Sequence, residues 1–578
     1  MSLQATQWTP QQWDKNEGIF HIGINMAGAV SAGAYTAGVL DFLTEALEQW
    51  YAAKAAENPR VPMHDVCIDV FSGASAGGMC AAIASVMLQG EFQHIKDTSV
   101  QGTNNRFYES WVNKIDIQWL LGSDDLGKDD LGNDKPVISL LDSTIIDQIA
   151  AYALTPGPVT QRPYVSESLT LFLTLTNVRG TPYSLNGTAD GSAEEDTAYY
   201  GDKLQFETVQ GAGAAPKSPL AKPLPIGTAG GAWPLLQDAA KATGAFPLFL
   251  APRIIKRDAR DYYHSPWEPV SMVNPPEVPP HWPLQETGTF TTLNVDGGVT
   301  DNDPFELAHD YLAIHNPKAS VDPQTGELRN PPAAAEANCA VLTVAPFPAD
   351  EIYKSDEEYG FAKNSSIFGM LPNLFTTLVS QSRFLGESLT AVMSGESYSR
   401  FVLAPSDEGQ PNAKALQCGT LSAFGGFFER GFRAHDYQLG RRNCQKFLMD
   451  YFRLAVTNPI IQAGLNKLDE ATRNQVIGDF AGSDAAPKNT VPIIPLCGTA
   501  KDTVPEPQRA KIDADRVNQV LDWIVTRMHA ISGPLVDSMV SGELERALLL
   551  GALNPLIRFA KPKLRDLLNA QLQDVIEP

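Results

Sequence analysis

The sequence predicts an α/β fold built on a mainly parallel sheet, and three observations predict it. Apolar strand-like runs pass through small-residue turns into helical periodicity twice, over residues 19–47 and 66–87. The second helical run, Met79 to Met87, is apolar nearly all round, as suits a helix buried against a sheet. Recurrent strand, tight turn and helix is the signature of layered α/β architecture with parallel strands.

Taken in order, Ile19–Asn25 reads as the first strand, followed by the small-residue loop Met26–Gly33. The next helix places Val39, Leu40, Leu43, Ala46 and Leu47 on one face, opposite Asp41, Glu45 and Glu48. Val66–Phe71 is a second strand and Leu169–Thr176 a third. Residues 186–231, rich in Gly, Ala, Asp and Pro, read as a long surface excursion. Ala239–Pro252 reads as a helix running into Gly244–Phe249, and Leu293–Asp296 as a strand end. Residues 316–338 read as a linker, and Cys339–Val344 as one more strand. The remainder is mostly helical in pattern, with a Pro-rich break near 485–508.

At 578 residues the chain exceeds one compact core. The division expected is 19–312 as a catalytic core, 313–455 as an extension packed on it (a strand plus helices), and 456–578 as a helical C-terminal region. A net charge of −23 opposes non-specific binding to nucleic acid. The six cysteines are scattered without a CxxC pair and read as buried free thiols, not a disulfide framework or metal site. Met1–Glu17 is polar and lacks the apolar segment of a signal peptide. No run of 18 apolar residues occurs, so a cytoplasmic location is expected, with export by a signal-free route left open.

The chemistry centres on Phe71-Ser72-Gly73-Ala74-Ser75-Ala76-Gly77-Gly78. Gly-x-Ser-x-Gly alone is a weak pattern; a strand entering and a helix leaving make it a nucleophile turn. Such a turn holds Ser75 in a strained backbone with Oγ projecting from the strand end. Gly73 and Gly77 flank it because strand and helix approach too closely for a Cβ. Asp296 ends a strand and precedes Gly297-Gly298, which turn the chain sharply and leave room for a hydroxyl to approach. Partial burial there raises a carboxylate's pKa and makes it a better proton acceptor. His309, His315 and His529 lie on helical stretches and read as surface or structural residues.

These motifs, in this order, resemble the patatin-like phospholipase family: a glycine-rich loop at Gly28–Gly33, the GxSxG serine at Gly73–Gly77, and Asp296–Gly298. Asn302 and Pro304 match the usual continuation of the aspartate motif. Ala239–Pro247 resembles the segment before it, and Gly33–Leu40 the first helix of bacterial members. The resemblance spans residues 19–312. It implies a patatin-like layered fold and a lipid acyl-ester hydrolase of phospholipase A or lysophospholipase type. It further implies Ser75 as nucleophile, Asp296 as general base, and no metal or organic cofactor. The oxyanion loop departs from the family's Asp-Gly-Gly-Gly-x-Arg-Gly, reading Ala27-Gly28-Ala29-Val30-Ser31-Ala32-Gly33. Carried over, the hole falls on the amides of Gly28, Ala29 and Val30. A β-branched Val30 resists positive φ, so a different loop geometry is expected. Two rival readings are an α/β-hydrolase esterase with a Ser-Asp-His triad and an inactive lipid-binding or scaffold protein.

Three other stretches carry a reading. The tandem Asp124-Asp125-Leu126-Gly127 and Asp129-Asp130-Leu131-Gly132 reads as an acidic solvated loop lacking a calcium-loop pattern. Arg433, Arg441 and Arg442 read either as a phosphate-headgroup site or as a salt-bridge network docking the C-terminal half. Residues 546–565 combine five basic side chains with leucines, and read as a peripheral membrane contact or a docked helical hairpin.

Overall fold

The computed structural model describes residues 12–13, 18–127, 135–186, 194–263, 279–321, 328–347, 355, 360–361, 399–407, 412–421, 423–539, 542–573 and 575–576. The thirteen strands among them are β1 (Ile19–Met26), β2 (Asp65–Gly73), β3 (Val165–Asn186), β4 (Glu194–Val209), β5 (Lys222–Pro225), β6 (Arg253–Asp258), β7 (Thr289–Asp296), β8 (Ser320–Val321), β9 (Leu328–Arg329), β10 (Cys339–Val344), β11 (Arg400–Leu403), β12 (Arg453–Ala455) and β13 (Thr490–Pro492). The main helices are α1 (Gly33–Lys54), α2 (Ser75–Met87), α3 (Thr144–Ala153), α4 (Trp233–Thr243), α5 (Phe305–His315), α6 (Arg430–Asp450), α7 (Ala514–Met539) and α8 (Glu543–Leu572).

The central sheet runs β11-β10-β1-β2-β3-β4-β5, with β7 pairing to β3 and β6 to β7. From β11 to β3 every pairing is parallel. β4, β6 and β7 join antiparallel, as hairpin-linked strands can. β1 and β10 are buried almost throughout because helices cover both faces, which is why they read as unbroken apolar runs. On one face α5 packs against Val70, Phe172 and Val341. On the other lie α1, α2 and α4, in one core with α6.

Two expectations need correction. Residues 186–231 are not a surface excursion: they contain β4 and β5. The outer half of the β3–β4 hairpin is polar, which masked the buried alternation of Leu204 and Phe206 further along. The helix expected over 239–252 spans Trp233–Thr243 instead, starting just ahead of Pro234 and stopping at Gly244, and β6 follows. The sheet also continues past residue 312, since β10 and β11 form its edge beside β1.

α6 lies across α1 with no room between the backbones. A Cβ on Gly38 would overlap the Tyr437 carbonyl, and one on Gly440 the Tyr35 carbonyl. Between the two helices, buried Arg441 is ion-paired to Asp41 and Glu45 of α1. Arg433, equally buried, donates to the carbonyls of Val112 and Gly426, and Arg442 to that of Val504. Arg433 and Arg441 therefore tie the C-terminal half to the N-terminal half, whereas the Arg442 bond stays within the C-terminal half. Residues 546–565 lie in α8, which packs along α7 as a hairpin. Arg546 pairs with Asp537 and Lys561 with Asp522, while Leu548 and Leu549 stay exposed. The side chains of Leu556, Arg558 and Phe559 are outside the described residues, as are Asp129–Gly132 and most of Met1–Glu17. Asp125, from the first half of the acidic tandem, is ion-paired to Arg527 of α7. All six cysteines are free, and all but Cys67 are buried. No described helix is long and apolar enough to cross a membrane.

Candidate active site

β2 delivers its chain to the turn in extended geometry at Ala74, and Ser75 then takes φ +52° as α2 begins. That left-handed backbone is costly for a serine and persists because its surroundings fix it. The Ser75 amide donates to Thr243 Oγ1 at 2.9 Å, tying the turn to the end of α4. A Cβ on Gly73 would sit 2.8 Å from the Gly77 carbonyl, and one on Gly77 would overlap Met26 O of β1. Both glycines answer to close packing, as expected, though Gly77 meets β1 and not its own strand.

β7 brings Asp296 to the same point. Its amide donates to Ala245 O at 3.0 Å, and Thr176 Oγ1 donates to its carbonyl at 2.8 Å. Ser75 Oγ donates to Asp296 Oδ2 at 2.7 Å. The other carboxylate oxygen, Oδ1, accepts from the Gly298 amide at 2.8 Å. A Cβ on Gly297 would overlap Thr174 O, so the turn passes flush against β3. Asp296 is buried, and removal from water pushes its pKa up to about 7 against the pull of the Ser75 and Gly298 hydrogen bonds.

The glycine-rich loop packs against both motifs. The Gly28 amide donates to Asn302 O at 3.0 Å, and a Cβ there would overlap Asn302 Oδ1. Gly28 is thus a clamp between loop and aspartate motif, and its N–H is already used. Ala29 is extended in φ at −149°, and Val30 has φ +47°. The expectation that valine would refuse this conformation is corrected: Val30 holds it, and the cost stays in the native loop. The Ser31 amide and hydroxyl both bond the Ala423 carbonyl, fastening the loop to the segment before α6.

Ser75 and Asp296 open into a cavity. Its wall is almost wholly apolar, drawn from 110–154 (Trp111, Leu120, Leu141 and Ile149 among them), from α2 and α4, and from Phe246, Phe424 and Phe427. The first and last of these contributions were missed by sequence reasoning, as was Thr243. Their apolar residues carry no motif, and only tertiary structure brings them together.

Among the described residues, no histidine lines the cavity. His94 bonds Asp41 and Glu48, His309 bonds Asp310, and His315 Nδ1 donates to the Tyr311 carbonyl. His264 lies outside the described residues. Among the described residues one ligand-type cluster occurs elsewhere: His21, Cys67 and Asp69 place an atom each within 4.8 Å of one another, with His21 Nδ1 bonded to Asp69 Oδ2 at 2.7 Å. These residues belong to the starting halves of β1 and β2, whereas Ser75 follows the far end of β2.

A nucleophile turn, an aspartate turn and a glycine-rich loop thus converge on one apolar cavity. The family profile described as patatin-like phospholipase matches residues 25–309, which span all three. The chain is also 33% identical over 577 residues to the uncharacterized protein y4iI of Sinorhizobium fredii (strain NBRC 101917 / NGR234). That match covers 93% of this chain and 79% of the relative. The family implies a hydrolase acting on lipid esters. With its mostly parallel sheet, its helical layers and its ordered motifs, the chain belongs to the patatin-like phospholipase family.

Proposed function

We propose that the protein is a lipid acyl-ester hydrolase of phospholipase A or lysophospholipase type, acting through a Ser75–Asp296 dyad and an acyl-enzyme. The observation that carries this reading is the 2.7 Å hydrogen bond from Ser75 Oγ to a buried carboxylate at an apolar cavity of acyl-chain character. Ser75 Oγ attacks the ester carbonyl carbon while its proton passes to Asp296 Oδ2. The tetrahedral oxyanion is held by the Ala29 and Val30 amides and by the positive end of α2. Gly28, whose amide is spent on Asn302, holds the loop in place and does not donate. Collapse breaks the bond to the alcohol oxygen, which takes the proton from Asp296 and leaves. Water then attacks the acyl-enzyme with Asp296 again accepting a proton, and the free acid departs as Ser75 regains its hydrogen. A carboxylate with a pKa of about 7 suits both halves, because it accepts and returns a proton near neutral pH.

The stretch 546–565 offers a peripheral lipid contact through exposed Leu548 and Leu549. The catalytic reading is tested by fatty-acid release from monoacyl and diacyl phosphatidylcholine. Ser75→Ala and Asp296→Asn are expected to lose it, and His94→Ala and His435→Ala to keep it. Retention by Asp296→Asn together with loss in a histidine variant would favour the triad reading instead.

A further inference from the structure

We propose that the mouth of this cavity is a lipid-docking face, formed by Trp119, Ile138, Leu140, Leu248 and Phe249, on which the protein sits when it acts on a membrane. The proposal rests on the acyl-ester reading above and adds where the lipid surface is met. Trp119, Ile138 and Leu248 are 54%, 55% and 77% exposed, high values for large apolar side chains. They come from three separate segments, each of which also contributes to the cavity wall. Trp119 precedes lining residue Leu120, Leu140 precedes lining residue Leu141, and Leu248 and Phe249 lie between lining residues Phe246 and Leu250. Main-chain bonds join two of the segments: the Leu140 amide donates to Leu248 O at 2.8 Å, and the Leu141 amide to Phe249 O at 3.0 Å. Along 138–141 burial alternates, so Ile138 and Leu140 point outward while Ser139 and Leu141 point in.

This outward display is built into the structure. Leu248 has φ +69°, a conformation that leucine resists, and it leaves the side chain in solvent. Buried Arg527 donates to the carbonyls of Gly122, Ser139 and Leu140 and pairs with Asp125, so these segments are pinned and the Asp125 charge is neutralised. A lipid surface is the occupant that fits, because the rim is continuous with an apolar cavity. An acyl chain passing from bilayer to Ser75 would cross no water. The net charge of −23 opposes an anionic surface, which points to zwitterionic lipid.

The test is co-sedimentation with phosphatidylcholine vesicles in a Ser75→Ala background, so that binding is read without turnover. Trp119→Ser/Leu248→Gly is expected to weaken vesicle association by roughly tenfold or more per substitution. Glycine is at ease at positive φ and removes the Leu248 side chain without unfolding the turn. In the active protein the same pair is expected to lower hydrolysis of vesicle lipid while leaving a soluble short-chain ester unaffected. Unchanged vesicle binding would overturn the proposal. So would loss of binding only in Leu548→Ser/Leu549→Ser, or conversion of an oligomer to a monomer by the rim variant, which would make a second copy the occupant. A wild type that binds vesicles but hydrolyses neither substrate would refute the catalytic reading alone.

Discussion

Asp296 sits where two demands conflict, because the burial that suits it to the proposed role of base also makes its charge expensive. Burial lifts its pKa from 3.8 to about 7. The wild type therefore gives up stability as pH rises from about 4 to about 7, relative to a side chain that cannot ionise. Asp296→Asn is predicted to melt above the wild type at pH 8 and level with it below pH 4, while losing roughly 10²–10⁴-fold in kcat. Calorimetry at the two pH values and a rate assay check both halves. Wild-type kcat/KM is predicted to rise with pH through about 7 as Asp296 deprotonates. Val30→Gly is predicted to relieve about 1 kcal/mol of backbone strain and to keep activity, since the donor there is an amide. Ser75 and Asp296 were both legible in the sequence, because each motif carries its own glycines. Thr243 was not, since a hydroxyl that accepts one amide bond leaves no local pattern.

Helix α1 shows why some elements could be read and others not. Its small residues fit a buried helix, but nothing within 33–54 names α6 as the partner, 400 residues away along the chain. Gly38 and Gly440 let the two backbones touch, and Arg441 then fills the junction against Asp41 and Glu45. Arg441→Leu is predicted to destabilise the fold by about 3 kcal/mol in denaturant unfolding, because two buried carboxylates lose their shared arginine and retain only His94 at Asp41 and Lys96 at Glu45 as ion-pair partners. Strands β1, β2 and β10 were legible because helices cover both their faces. β4 and β6 were obscured because their buried faces are not uniformly apolar: in β6 Arg257 shares the buried face with Ile255, while Ile254 is exposed.

At the scale of the whole molecule, the family motifs and the sheet that holds them do not share one stretch of chain. β10 and β11 complete the sheet beside β1, and α6 covers α1. A fragment ending at residue 338 is therefore predicted to be insoluble, although it contains every family motif; expression and circular dichroism check this. The cavity wall is assembled from segments near 110–154, 240–250 and 424–427, so its shape was beyond reach of any local reading. The family was legible because its motifs keep their order, whereas the chamber they serve is a tertiary product. The dyad itself is tested most directly by fluorophosphonate labelling with mass-spectrometric mapping of the adduct. The predicted result is a single adduct on Ser75 in the wild type, none in Ser75→Ala, and strongly slowed labelling in Asp296→Asn. Folded wild-type protein that carries no adduct on Ser75, or Asp296→Asn that labels at the wild-type rate, would contradict it.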